Sequence, residues 1–274
     1  MLALAETVVA LTASGRAPSD ADWRAAAAEV RAGFRPGDLI VAAPAWADPV
    51  MRLHLGDLVP AAVAGRMDAA RFGRVWEIAQ RGARSSDAAV GTVLSTQRHG
   101  ALTVRRVERP RREVTYDFLE RWRQARVARV ELGRGEIPCP AGPDRFQCPN
   151  IGFNYVTVQT LEVDGGLRRA VLAQPVAGAV VAVEWSDVLL GRELAVGAGL
   201  HNVWHRKTSD GVVNLNVLVD GKPVLAVASD SDSGWTLARA DTAPHAGRRA
   251  TVRFEVMSAK PYARHFAFAA EARL

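Results

Sequence analysis

The densest cluster of polar and aromatic residues in the sequence is His201-Asn202-Val203-Trp204-His205-Arg206-Lys207. A tryptophan ring there can stack on the apolar face of a pyranose, with Asn202, His201 or Arg206 bonding its hydroxyls. Two other readings stay open. Trp204 can belong to a core with the histidines covering a strand end, or His201 and His205 can share a metal on a helix. Gly197 and Gly199 just before the cluster, and the strand-like run after it, argue against that helix.

A second loop, Asp230-Ser231-Asp232-Ser233-Gly234-Trp235, is rich in the oxygen ligands that calcium takes. Asp230 and Asp232 lack the spacing and terminal Glu of a defined calcium loop, so a solvated turn is favoured and no metal is expected. Trp235 reads as a platform at the loop tip or as a staple that holds the loop down. The candidate glycan-binding set is therefore His201, Asn202, Trp204, Arg206 and Trp235.

No residue is nominated for catalysis. The chain lacks G-x-S-x-G, and neither cysteine sits beside a plausible base. Pro44-Ala45-Trp46 is not a glycine-rich phosphate loop, so no nucleotide or other cofactor is expected. Asp38 and Asp48 lie near the first strand, where open α/β sheets bind ligands. Asp48 before Pro49 reads more naturally as a helix cap.

Cys139 and Cys148 flank a Pro- and Gly-rich loop with no histidine at metal-finger spacing. A disulfide is favoured over two unpaired thiols, and it implies an oxidising compartment such as a periplasm.

The 274 residues carry a formal charge of +6 and a pI near 10.0. The basic residues are almost all arginine, with lysine at 207, 222 and 260 alone. Short clusters such as Arg105-Arg106 come without an aromatic ladder, so nucleic acid is not expected as a partner. Contact with an anionic membrane surface is at least as plausible. Leu2–Ala13 is apolar but short and contains Glu6. It reads as a first helix, or as the edge of a membrane part, rather than as a signal peptide.

The elements that must hold these residues change character along the chain. Asp20 or Asp22 caps a helix whose Trp23, Ala27, Val30 and Phe34 share one face. Gly33 ends it, Pro36-Gly37-Asp38 turns, and Leu39–Ala43 is an apolar strand. A short helix over Asp48–Gly56 follows, then a helical approach at Asp68–Gly73, a strand at Arg74–Ala79, a helix at Ser86–His99 and a strand at Ala101–Val107. Helices interleaved with apolar strands predict a doubly wound, mainly parallel sheet.

Tyr116–Val130 carries Phe118, Trp122, Ala125 and Arg129 at helical spacing and is expected to bridge. From Ile151 onward, short β-prone runs are separated by turns such as Asp220-Gly221. The expected fold class is α/β plus all-β. It comprises an α/β domain over 1–110, a bridging helix and cysteine loop over 111–150, and an antiparallel jelly-roll-like β-sandwich over 151–274.

Residues 20–108 resemble the soluble tail of bacterial dolichyl-phosphate-mannose protein mannosyltransferase-like membrane glycosyltransferases. The resemblance is carried by Asp22-Trp23-Arg24, Arg35-Pro36-Gly37-Asp38, Pro44-Ala45-Trp46, His54-Leu55-Gly56-Asp57, Arg74-Val75-Trp76 and Leu102-Thr103-Val104. In that family the catalytic carboxylate lies in the membrane part, so no catalytic residue maps onto this chain. The resemblance implies a periplasmic module associated with a lipid-linked sugar transferase, and hence a glycan, a lipid-linked sugar or the transferase as partner. The second half, through its strand pattern and Gly191-Arg192-Glu193-Leu194, resembles carbohydrate-binding sandwich modules. Two other functions remain open: an envelope hydrolase or transferase whose acid and base meet only in the fold, and a docking scaffold.

Overall fold

The computed structural model describes residues 17–131, 133–201 and 210–274. These divide into two compact units. One comprises Ala69–Arg111 with the described chain up to Val63, and the other Ala64–Asp68 with Arg112–Leu274.

The first unit opens on helix α1 (Asp20–Gly33). Its N-cap is Ser19 rather than an aspartate. The Ser19 hydroxyl accepts from the Asp22 N–H, and the Asp22 carboxylate accepts from the Ser19 N–H. Trp23, Ala27 and Val30 are buried along one face. Gly33 is needed where the helix meets the sheet, because a Cβ there would lie 2.7 Å from the Trp76 ring. Strand β1 (Leu39–Ala43) is buried at every position, and α2 (Asp48–Leu55) carries Pro49 in its first turn. Strands β2 (Arg74–Gln80), β3 (Thr92–His99) and β4 (Leu102–Glu108) complete a sheet of order β1-β2-β4-β3.

That sheet corrects the expectation of a doubly wound parallel domain. Only β1 and β2 run parallel; β2–β4 and β4–β3 are antiparallel. The cause lies in Ser86–His99, which is not a helix. A single turn at Ser86–Ala89 gives way to β3. β3 and β4 are then joined by the tight turn Gly100-Ala101, which permits only an antiparallel pair, since a parallel one needs a crossover of about a dozen residues. Asp68–Gly73 likewise forms bends and turns instead of a helix.

The second unit is an antiparallel β-sandwich. One sheet has the order β15-β12-β17-β10-β9-β8, with β5 also on β17; the other runs β14-β13-β16-β11-β6-β7. The strands are β5 (Val114–Asp117), β6 (Arg126–Glu131), β7 (Gly135–Pro138), β8 (Phe146–Gln147), β9 (Tyr155–Val163), β10 (Gly166–Ala173), β11 (Ala179–Leu189), β12 (Glu193–His201), β13 (Val213–Val219), β14 (Lys222–Ser229), β15 (Thr236–Asp241), β16 (Arg249–Met257) and β17 (His265–Arg273). Period-two burial along β13 and β16 turns Leu215, Val217, Val252, Phe254 and Val256 inward. Phe254 of one sheet stacks on Phe268 of the other at 4.9 Å. Asp220 and Gly221, both at positive φ, close the β13–β14 hairpin.

Tyr116–Val130 is the second correction. It is not a bridging helix; it supplies β5, a 3-10 turn at Trp122–Gln124 and β6. Pairing with β17 and β11 satisfies its backbone, and Val127, Ala128 and Arg129 are buried there. Tertiary pairing overrides a modest helical pattern.

Cys139 and Cys148 form a disulfide, both side chains buried. Closing this short loop is worth roughly 2.7 kcal/mol in the chain-entropy model. Alkylation without reductant is expected to label neither cysteine. Reduction is expected to lower the chemical-denaturation midpoint of the second unit. Two labelled thiols in protein recovered under oxidising conditions would reject the bond.

Candidate functional site

Of the sequence-derived glycan candidates, His201 and Trp235 lie among the described residues. Asn202, Trp204 and Arg206, with the rest of 202–207, lie outside the described residues. His201 ends β12, and its Nδ1 lies 2.8 Å from the Glu162 carbonyl oxygen. Asp230 Oδ1 accepts from the N–H groups of Asp232 and Ser233, both at 2.9 Å, and from the Ser233 hydroxyl at 2.6 Å. These bonds, the Ser233 hydroxyl first, hold its carboxyl below the usual aspartate range. Among the described residues, no three His, Cys, Asp or Glu side chains are grouped as a metal would need.

Trp235 is half-buried against the sheet. Its ring lies over Gly197, where a Cβ would come within 2.5 Å. Its N–H donates to the Met67 carbonyl (3.0 Å), and the Arg168 guanidinium stands over the ring at 5.4 Å. In the first unit, Asp38 accepts from Arg74 Nε and the Trp76 N–H, each at 2.9 Å. Asp48 pairs with Arg52 one turn along α2.

A cavity of ≈ 650 Å³ opens elsewhere, at one end of the sandwich, and the sequence reading did not single it out. It is bounded by Phe153 before β9, by the β10–β11 connection from Gln174 to Ala177, and by the β16–β17 connection from Lys260 to Arg264. Phe153 and Tyr262 are 60% and 78% exposed. Large rings that open to water beside an apolar floor of Pro175, Val176 and Pro261 are the feature an aromatic platform requires. Both sit next to chain-turning residues, Gly152-Phe153 and Pro261-Tyr262. The turn-adjacent position that singles out Trp204 and Trp235 in the sequence is shared by these two rings.

The polar groups of this cavity are held in place. Gln174 Nε2 donates to His265 Nδ1 at 3.0 Å. Lys260 Nζ donates to Asp210 at 2.7 Å, and this bond holds the Asp210 carboxyl below its ordinary range. Arg264 is buried and donates through Nη1 to the Ser231 hydroxyl at 3.1 Å. Burial lowers its guanidinium pKa, against the pull of Asp210 and Asp230. His201, the first residue of the predicted cluster, and Asp210, the next described residue along the chain, both adjoin this wall. His201 is the cross-strand partner of His265, and Asp210 is bonded to Lys260.

No family model matches the chain, and no curated protein matches it. Among solved structures it is similar to carbohydrate-binding modules. The CBM51 of Clostridium perfringens GH95, solved in complex with methyl-galactose, aligns at 12% identity and a TM-score of 0.31 over 42% of this chain and 81% of that one. The CBM51-2 and INT domains of Clostridium perfringens ZmpB align at 12% identity and a TM-score of 0.32, over 42% of this chain and 25% of theirs. The same domains in complex with GlcNAc align at 11% identity and a TM-score of 0.37, over 72% of this chain and 40% of theirs. The chain thus spans well under two thirds of the two ZmpB structures. At TM-scores this low the likeness carries no functional argument, and the reading below rests on this chain's own residues.

Proposed function

We propose that the second unit recognises a glycan at the cavity bearing Phe153 and Tyr262. The observation that carries this is the pair of exposed rings on an apolar cavity whose rim holds Gln174, Lys260 and His265. Sugar rings offer alternating apolar faces and hydroxyls, and such a surface matches both. The role is binding, with no catalytic residue assigned. The finer reading is a non-catalytic periplasmic module beside a membrane glycosyltransferase. It rests on the sequence resemblance of residues 20–108 and on the disulfide, which suits an oxidising compartment. Among the described residues, no helix is long and apolar enough to cross a membrane.

A glycan array followed by calorimetric titration of the best hit tests the site. Phe153→Ala and Tyr262→Ala are each expected to weaken binding about tenfold or more. Melting temperature should hardly change, because exposed side chains contribute within about 0.5 kcal/mol to stability. Unchanged affinity in both variants would remove the site from this cavity.

A further inference from the structure

The aromatic cavity has a neighbour. A second cavity of ≈ 700 Å³ lies along Glu131, Gly178, Ala179, Asn214, Ser258 and Ala259. The two share walls. In the β10–β11 connection Ala177 lines the first and Gly178 the second; in the β16–β17 connection Lys260 lines the first and Ala259 the second. Adjacent Cα atoms are about 3.8 Å apart, so only a thin ridge separates the two spaces. Ser258 braces that ridge: its hydroxyl donates to the Val212 carbonyl at 2.7 Å and accepts from the Lys260 N–H at 3.2 Å.

The cavities differ in chemistry. The described lining of the second holds no aromatic side chain. At Gly133, Gly135 and Gly178 a Cβ would meet no atom within 4 Å, so backbone edges border open space there. Asn214 is exposed and brings an amide that both donates and accepts. The first cavity can grip a ring by stacking, whereas the second can only hydrogen-bond one.

Resting on the glycan reading, we infer that the ligand is a chain of at least two linked sugars. One ring is anchored on Phe153 and Tyr262, and the next crosses the ridge into the Gly178–Asn214 cavity. A covalently linked second ring binds at high effective concentration, so even a weakly gripping second site raises the affinity of a chain over that of its monomer.

The probes are glucose, N-acetylglucosamine, galactose and mannose, each as the monosaccharide and as its homo-di- and trisaccharide, titrated into the full chain. At least one series is expected to gain about tenfold in affinity from one ring to two. Asn214→Ala, or Ala259→Trp to fill the space, should shrink that gain below about twofold and leave the monosaccharide unchanged. Tyr262→Ala should weaken every length alike. A monosaccharide that binds as tightly as its oligomers would overturn the inference and leave the glycan reading standing. So would an Asn214→Ala variant that weakens monomer and trimer equally. No binding to any probe would overturn the glycan reading itself, and this inference with it.

Discussion

Asp68→Ala is expected to destabilise the second unit by about 3–5 kcal/mol, the usual result of removing one partner from a buried ion pair. The pair in question is Arg273, which is fully buried at the end of β17. Asp68 accepts from both its terminal nitrogens at 2.9 Å, and Glu271 accepts from Nε at 2.7 Å. Without Asp68 the guanidinium keeps Glu271 on Nε and Glu193 at 3.8 Å from Nη1, but both terminal nitrogens lose their hydrogen-bonded carboxylate inside the protein. Neighbouring contacts bring the segment to the same sheet. Arg169 N–H donates to the Gly65 carbonyl at 2.5 Å, and Arg168 donates to that of Arg66 at 3.1 Å. Urea unfolding followed by circular dichroism measures the loss, with Asp68→Asn as the shape-conserving comparison. A change below about 1 kcal/mol for Asp68→Ala would show that this ion pair does not hold Ala64–Asp68 in the second unit.

That clamp also marks where sequence reading stops. α1, β1, β2 and β4 were legible because each is set by neighbouring residues: a cap, one apolar face, a Pro-Gly-Asp turn, a short apolar run. The β13–β14 hairpin was legible for the same reason at Asp220-Gly221. Nothing local to Asp68 announces Arg273, which lies at the other end of the chain. β12 is not legible locally because Gly197 and Gly199 look like loop residues. In the fold they are strand residues kept bare so that the Trp235 ring and the Gly234 carbonyl can approach. The helical spacing over Ser86–His99 competes with Thr92, Val93 and Thr96, which favour a strand, and the direction of the sheet's pairing follows from that strand. At the candidate site, Trp204 lies outside the described residues and Trp235 is half-buried, whereas Phe153 and Tyr262 are exposed because of loops that meet only in three dimensions.

Trp185→Ala is expected to have an effect of similar size, about 3–5 kcal/mol, as for a fully buried aromatic truncated to alanine. The indole sits edge-on to Phe118 at 5.1 Å and to Phe254 at 5.6 Å, and is fully buried. Its N–H donates to the Arg121 carbonyl at 3.0 Å. Phe118 and Arg121 belong to the stretch whose spacing suggested a helix, so this one side chain helps hold that stretch in its non-helical path. Alanine would open a cavity beneath Phe118 and take the Trp185 donor from the Arg121 carbonyl. Trp185→Phe would refill most of the volume and lose only the hydrogen bond, a difference of about 1 kcal/mol from wild type if packing is otherwise conserved. Near-ultraviolet circular dichroism and denaturation of the two variants separate the contributions. Equal losses for both would assign the effect to the Arg121 bond, and a small loss for Trp185→Ala would mean that the core tolerates the vacancy and that Phe118 is held from elsewhere.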